Sequence, residues 1–315
     1  MRIVIALGGN ALLKRGEPQD IETQRRNVRA AVRSVAALLP GNEVVITHGN
    51  GPQIGLLALQ MSAASGTPLP GLDVLGAQTD GMIGYWLERE FGNLLQQSRA
   101  VTLLTQVEVD LEDRAFKAPT KFIGPVYEAA EGQRLASLNG WSMALDGTRW
   151  RRVVPSPAPR SVCQVAAIDR LLAGGFLVIC AGGGGIPVAR DASTGELTGV
   201  DAVVDKDLTS ELVAEQLHAD VFMMLTDASA VYLDWGQPTQ REIRSASPSA
   251  LRELTFAAGS MGPKVAAACR FAESGVRRAY IGSLEAAANM IDGEAGTLVS
   301  CEMSGITLRD VEGAA

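Results

Sequence analysis

The chain has 315 residues, enough to bury one large core or two moderate ones. Apolar residues make up 47% and Lys, Arg, Asp and Glu 20%, a globular balance that excludes a disordered chain. The formal charge of −7, with no basic cluster beyond RWRR at 149 to 152, argues against general nucleic-acid binding.

Residues 2 to 7, RIVIAL, are apolar and β-branched, stop at Gly8-Gly9 and predict a buried strand. From Asp20 to Leu39 the set Ile21, Val28, Ala31, Val32, Val35, Leu38 and Leu39 follows helical spacing, ended by Pro40-Gly41. EVVIT (43 to 47) predicts a second strand running into GNGPQ, where Pro52 suits the first turn of a helix because its missing N–H loses nothing. That helix, QIGLLALQMSAAS, is expected to stop at Gly66. VTLLTQVEV (101 to 109) reads as one further strand.

Residues 110 to 161 break the rhythm. They are rich in charge, Pro, Gly and aromatics, and predict an excursion of short strands and turns, either a surface insertion packed on its own aromatics or a lid. The rhythm then resumes with VAAIDRLLAGG as helix and FLVICAGGGG as a strand opening into glycines. DLTSELVAEQLHA is helix, DVFMMLTD strand and GPKVAAACRFAESG helix, and RRAYIG, SLEAAANMIDG and AGTLVS close the pattern. Strands alternating with helices predict a largely parallel sheet covered on both faces.

No stretch approaches the ~20 apolar residues a membrane helix needs. The start, MRIVIALGGNALL, enters an apolar segment without a lysine-rich leader or cleavage site. Cys163, Cys180, Cys269 and Cys301 are widely spaced, and so are His48 and His218, so neither a disulfide framework nor a structural zinc is expected. The expectation is a cytoplasmic protein with reduced thiols.

Ligands of a parallel α/β sheet bind beyond the C-terminal strand ends. Four glycine-rich turns fall there: Gly8-Gly9-Asn10, Gly49-Asn50-Gly51, Gly182 to Gly185, and Gly259-Ser260-Met261-Gly262-Pro263-Lys264. Together they point to a crevice that binds phosphoryl groups, because glycine lets backbone N–H groups approach an anion and a helix start adds positive potential. Neither a P-loop nor a dinucleotide fingerprint is present, so lysines near the loops must neutralise phosphate charge. Lys206, flanked by Asp205 and Asp207, can reach a transferred phosphoryl group. Alternatively Asp207 is a helix cap and Lys206 an incidental solvated lysine. Lys264 stands at a helix N-terminus, unfavourable for a cation unless an anion shares the site. Lys121 lies within the excursion and could descend as a lid closes.

Taken together, ALGGNALL, THGNGPQIG, QTDGMIGY, PTKFIGPVY, VVPSPAP, CAGGGGIPV, DKDLTSELVA and GSMGPKVAAACRFAESG resemble carbamate kinases in order and spacing, from Arg2 to about Ser300. The resemblance implies an amino acid kinase-like fold, a three-layer α/β/α sandwich with a mainly parallel central sheet and a protruding lid subdomain at about 112 to 160. It implies phosphoryl transfer between ATP and carbamate, with Mg2+ held mainly by phosphates and water, in a homodimer whose usual setting is making ATP in arginine breakdown. Gly8, Gly9 and Asn10 would grip the transferred phosphoryl group. Gly49, Asn50 and Gly51 would cradle carbamate, helped by Gly183 and Gly184. Lys206, oriented by Asp207, would be the catalytic lysine, while Lys264 meets the terminal phosphates and Lys121 arrives from the lid. Thr226, Asp227, Tyr232, Met261 and Gly262 would line the nucleotide pocket.

His48 is expected to be structural, because carbamate is already an anion and needs no base. Three positions depart from the expected pattern: Ser229 in place of an aspartate, Gln164 in place of a glutamate, and Asp80, a carboxylate that would be unhelpful if it faced the substrate. Ala6 stands where sibling kinases carry a lysine, a charge that Lys121 would supply. The alternatives are a related kinase of another small carboxylate or phosphate, and a nucleotide-binding regulatory protein that has lost catalysis. The second would show a substituted Lys206 or a broken glycine loop.

Overall fold

In the first strand, β1 (Arg2–Leu7), alternate side chains turn to opposite faces of a sheet, so Ile3, Ile5 and Leu7 join one buried cluster and Val4 and Ala6 another. Burial on both faces is why the run is apolar throughout after Arg2. The computed structural model describes residues 1–13, 16–18, 20–63, 70–95, 99–257, 260–275 and 277–309, with Asn10 and Ala11 described only in their backbone.

After β1 come β2 (Glu43–His48), β3 (Ala100–Leu103), β4 (Gln106–Val109), β5 (Lys121–Tyr127), β6 (Met143–Asp146), β7 (Arg149–Val154) and β8 (Pro159–Val162). The second half holds β9 (Leu177–Cys180), β10 (Ile186–Arg190), β11 (Leu197–Gly199), β12 (Val221–Thr226), β13 (Val231–Leu233), β14 (Arg241–Ala246), β15 (Arg278–Ser283), β16 (Thr297–Val299) and β17 (Ile306–Leu308). The helices are α1 (Gly9–Leu12), α2 (Ile21–Ala36), α3 (Gly51–Ser62), α4 (Leu72–Leu94) and α5 (Ala129–Asn139). They continue with α6 (Val165–Ala173), α7 (Lys206–Gln216), α8 (Pro248–Arg252), α9 (Met261–Glu273) and α10 (Ala287–Ile291).

The central sheet runs β13-β14-β16-β15-β12-β1-β2-β9-β3, with β17 on β14. From β15 to β3 all neighbours are parallel, whereas β16 is antiparallel to β15 and the β13 and β17 pairings on β14 are antiparallel. Ile168 and Leu172 of α6, Val213 of α7 and Phe271 of α9 cover one face. Val28 and Val32 of α2, Leu87 and Phe91 of α4 and Met290 of α10 cover the other. This is the expected three-layer α/β/α sandwich. Asp20 caps α2 by accepting the Thr23 N–H at 2.7 Å, and the helix ends at Ala36, before the apolar Leu38 and Leu39.

Two small sheets lie off this frame: β11-β10-β4-β8, and the antiparallel β5-β7-β6 beside α5. The β5 strand seats directly on α3, where Gly55 and Gly124 meet. A Cβ on Gly55 would fall 2.0 Å from the Gly124 Cα, so only two glycines allow the approach.

Three expectations are corrected. The run 101 to 109 is two strands in two sheets, because Thr105 turns the chain: its hydroxyl donates to the Leu103 carbonyl at 2.7 Å and accepts the Ala181 N–H at 3.0 Å. The third helix ends at Ser62, and the Gly66 stop lies outside the described residues. The excursion holds the eleven-residue helix α5 besides strands and turns.

Candidate active site

The C-terminal ends of β1, β2, β9 and β12 open side by side, placing Gly8, Gly49, Gly182 and Asp227 along one rim of the sheet. Gly8 N–H donates to the Leu225 carbonyl at 2.8 Å and Gly49 N–H to the Leu7 carbonyl at 3.1 Å, which continues the parallel ladder into the turns.

At this rim α7 begins, and its cap is Asp205 rather than Asp207. Asp205 Oδ1 accepts the N–H of Asp207 at 2.9 Å and of Leu208 at 3.4 Å. Asp207, released from capping, sits between two ammonium groups. Its Oδ1 lies 2.9 Å from Lys206 Nζ and its Oδ2 2.9 Å from Lys264 Nζ. The other oxygen of Asp205, Oδ2, is ion-paired with Lys121 from β5. Three lysines from three separate elements therefore converge on two carboxylates.

The electrostatics follow from burial. Lys206 is 9% exposed. Burial lowers its pKa, with Lys264 adding to the effect and Asp207 opposing it. Burial alone would raise Asp207, but the two neighbouring ammonium groups outweigh it and hold the carboxyl well below the usual range. Asp205 is also lowered: burial and Asp207 push it up, and Lys121 prevails. Lys206 Nζ and Asp207 Oδ1 form a buried ion pair.

These groups line a cavity of about 210 Å³ with Gly9, Gly49, Asn50, Gly51, Pro52, Gly183, Val203 and Val204. A second cavity of about 890 Å³ adjoins it through Gly9, Pro52, Ser260 and Lys264. Its walls include Gly8, Arg151, Thr226, Asp227, Tyr232, Asp234, Trp235 and Met261. A small polar chamber thus opens through a shared lysine into a larger one.

Most of the residues singled out in the sequence meet here. Gly184 and Gly262 do not line either cavity: the Gly184 carbonyl accepts the Thr209 hydroxyl at 2.9 Å, and the Gly262 N–H donates to Ala257 at 2.9 Å, so both brace the wall from behind. Asn10 belongs to α1 by its backbone, while its side chain and all of Gly259 lie outside the described residues. Asp80 does not enter the small chamber's walls. Ser229 Oγ lies 2.5 Å from the Tyr232 hydroxyl, and Gln164 holds Gln106 through contacts of 2.7 and 3.1 Å. Sequence reading did not assign the cap role of Asp205, nor the places of Arg151, Asp234 and Trp235. Only the DKD spacing offered a signal for the first. Among the described residues no group of three or more His, Cys, Asp or Glu could hold a metal ion.

A parallel sheet with glycine turns, linked chambers and clustered lysines defines a phosphoryl-transfer class, and residues 1–283 match the model of the amino acid kinase family. A carbamate kinase of Haemophilus influenzae is 54% identical over 308 residues, 98% of this chain and 99% of the relative. One from Rhizobium meliloti is 50% identical over 98% of this chain and 95% of its own length. The structure of carbamate kinase from Giardia lamblia bound to AMP-PNP is 38% identical with a TM-score of 0.86, covering 95% of this chain and 98% of that one. The chain belongs to the amino acid kinase family and, within it, to the carbamate kinases. It is an enzyme of the kinase class.

Proposed function

We propose that the protein catalyses reversible, Mg2+-dependent phosphoryl transfer between ATP and carbamate, giving ADP and carbamoyl phosphate, and that its main use is to make ATP during arginine breakdown. The carrying observation is the convergence of Lys121, Lys206 and Lys264 on a chamber of about 210 Å³ that opens into one of about 890 Å³. The small chamber suits a carbamate and the large one a nucleotide, and the Giardia relative crystallised with AMP-PNP supports the nucleotide half.

Carbamate carries its own negative charge, so a carbamate oxygen attacks the γ-phosphorus without losing a proton. As that O–P bond forms, the bond from phosphorus to the ADP oxygen breaks. The task left to the protein is to align two anions and neutralise the charge shared between them. Lys206 and Lys264 flank the transferred group, positioned by the two oxygens of Asp207. Lys121 adds charge from β5, tethered to Asp205. The Gly9 backbone N–H faces the phosphoryl group, with Gly8 and Asn10 completing that turn, and Gly49, Asn50, Gly51 and Gly183 form the carbamate cradle, braced by Gly184 from behind. Thr226, Asp227, Tyr232 and Met261 form the nucleotide side, braced by Gly262.

Asp205 and Asp207 are engaged by lysines, and Asp227 and Asp234 are the carboxylates in the wall of the larger cavity. That donor set fits a metal carried on nucleotide phosphates and water rather than a protein cage. When bound, Mg2+ supplies charge neutralisation on the nucleotide phosphates.

The exposed Val74, Met82 and Tyr85 share one side of α4, with exposed Leu104 beside Gly81. This apolar face supports a homodimer. No helix among the described residues is long and apolar enough to cross a membrane, and we place the enzyme in the cytoplasm. The substrate assignment is tested by supplying MgADP with carbamoyl phosphate, acetyl phosphate or N-acetylglutamyl phosphate. ATP from the first at a rate at least a hundredfold above the others supports it, and a preference for either competitor overturns it.

A further inference from the structure

Two consecutive residues of α4 meet the end of β2 and the turn that leaves it. Thr79 Oγ1 accepts a hydrogen bond from Asn50 Nδ2 at 2.8 Å, and directs its own proton to the Leu75 or Gly76 carbonyl, each 3.0 Å away. Asp80 Oδ1 lies 3.4 Å from His48 Nε2, with both side chains 0% exposed. The glycines after β9 close the arrangement. A Cβ on Gly182 would lie 2.0 Å from Asp80 Oδ1, and one on Gly183 would lie 2.1 Å from Asn50 Nδ2. Two sets of contacts result, His48–Asp80–Gly182 and Asn50–Thr79–Gly183, the second reaching the small chamber through Asn50 and Gly183.

A fully buried carboxylate needs a counter-charge or hydrogen bonds. Neither Asp80 oxygen has a hydrogen-bond partner among the described residues, and the His48 imidazole lies beside one of them. The other ring nitrogen of His48, Nδ1, faces the Gly49 carbonyl at 3.3 Å. Both ring nitrogens thus face oxygen atoms, and the ring is held between the Asp80 carboxyl and the Gly49 carbonyl. From β9 the Cys180 thiol also faces Asp80, and burial together with that carboxylate pushes the thiol pKa up, which keeps it neutral.

We propose that Asp80 and Thr79 are positioning residues for the transferred substrate: Asp80 through its buried contact with His48, and Thr79 through Asn50, together fix the Gly49-Asn50-Gly51 cradle. Asp80, a carboxylate unhelpful in contact with an anionic substrate, acts from outside the chamber walls, through His48. This deepens the carbamate reading and rests on it.

The test has a spectroscopic arm and a kinetic arm. The chain has two histidines, and His218 is exposed, so 15N-labelled imidazole spectra separate them. The His48 ring signals are expected to move in Asp80→Asn while those of His218 stay in place. Asp80→Asn and Thr79→Val are each expected to raise KM for carbamoyl phosphate about tenfold while KM for ADP stays within twofold. His48 signals unmoved in Asp80→Asn, or equal changes in both KM values, overturn the proposal. If Asp80→Asn does not fold, Asp80→Glu and Thr79→Val decide it. Wild-type protein that makes no ATP from carbamoyl phosphate would sink the substrate reading instead, while the spectrum would still report on the pair.

Discussion

Lys264 Nζ lies 2.9 Å from Asp207 Oδ2, so the starts of α9 and α7 share one carboxylate across 57 residues of sequence. Lys206 occupies the other oxygen of the same group. Two cations drawn this close to a single anion leave a local excess of positive charge facing the small chamber, which is what a phosphoryl group crossing between two anions requires.

Asp207→Asn should therefore harm both stability and turnover. Removing one partner of a buried charge cluster costs about 3–5 kcal/mol. The folded carboxyl titrates below its ordinary value of about 3.9, so its stabilisation is present above that pH and is lost as pH falls towards the depressed pKa. Melting curves of wild type and variant from pH 3 to 8 check this. The gap in Tm should be full above about pH 5 and narrow below about pH 4.

Lys121→Ala separates function from stability. The pair with Asp205 is partly exposed, the two side chains at 31% and 18%, so its loss should change stability by less than about 1 kcal/mol. Turnover should fall by about 10²-fold, as for the loss of one donor to a developing charge. Steady-state rates beside a denaturant titration show whether the two effects part.

The Gly55–Gly124 contact is the seat of the β5-β7-β6 sheet on α3. Gly55→Ala should force β5 away and displace Lys121, three residues before Gly124 in the same strand. We expect a destabilisation of about 1–3 kcal/mol from overpacking and a loss of turnover like that of Lys121→Ala. Gly92→Ala is the control: it sits in α4 with open space at its Cβ, and should stabilise by about 0.5–1 kcal/mol with activity unchanged. Thermal melts and rates on both variants check the contrast.

Trp235 is 67% exposed at the wall of the larger cavity, its ring centroid 5.1 Å from that of Tyr232. The paired rings offer a surface on which a purine can stack. Adding ADP should change the tryptophan fluorescence of the wild type, and the change should vanish in Trp235→Phe. A response unaltered in the variant would remove Trp235 from the nucleotide site.

The frame was legible because burial on both sheet faces leaves its mark in the residues: RIVIAL, EVVIT and DVFMMLTD are near-continuous apolar runs. The glycine turns were legible for the same kind of reason, since close backbone approach excludes other residues. What the chain order concealed was pairing across distance. Asp205 and Asp207 look alike within DKD, and their division into cap and lysine-holder appears only once Lys264 and Lys121 arrive from elsewhere. The break at Thr105 was hidden because its cause is the backbone of Ala181, 76 residues on. His48 and Asp80, 32 positions apart, carry no signal of meeting until α4 packs behind β2.

The central claim is that Lys206 supports phosphoryl transfer to and from carbamate, and the direct measurement is ATP formation from carbamoyl phosphate and MgADP by wild type and Lys206→Ala side by side. Expected are rapid ATP formation by the wild type and a loss of about 10²–10³-fold in a variant that remains folded and binds ADP. A folded wild type that binds ADP but forms no ATP, or a variant that retains full activity, would contradict it.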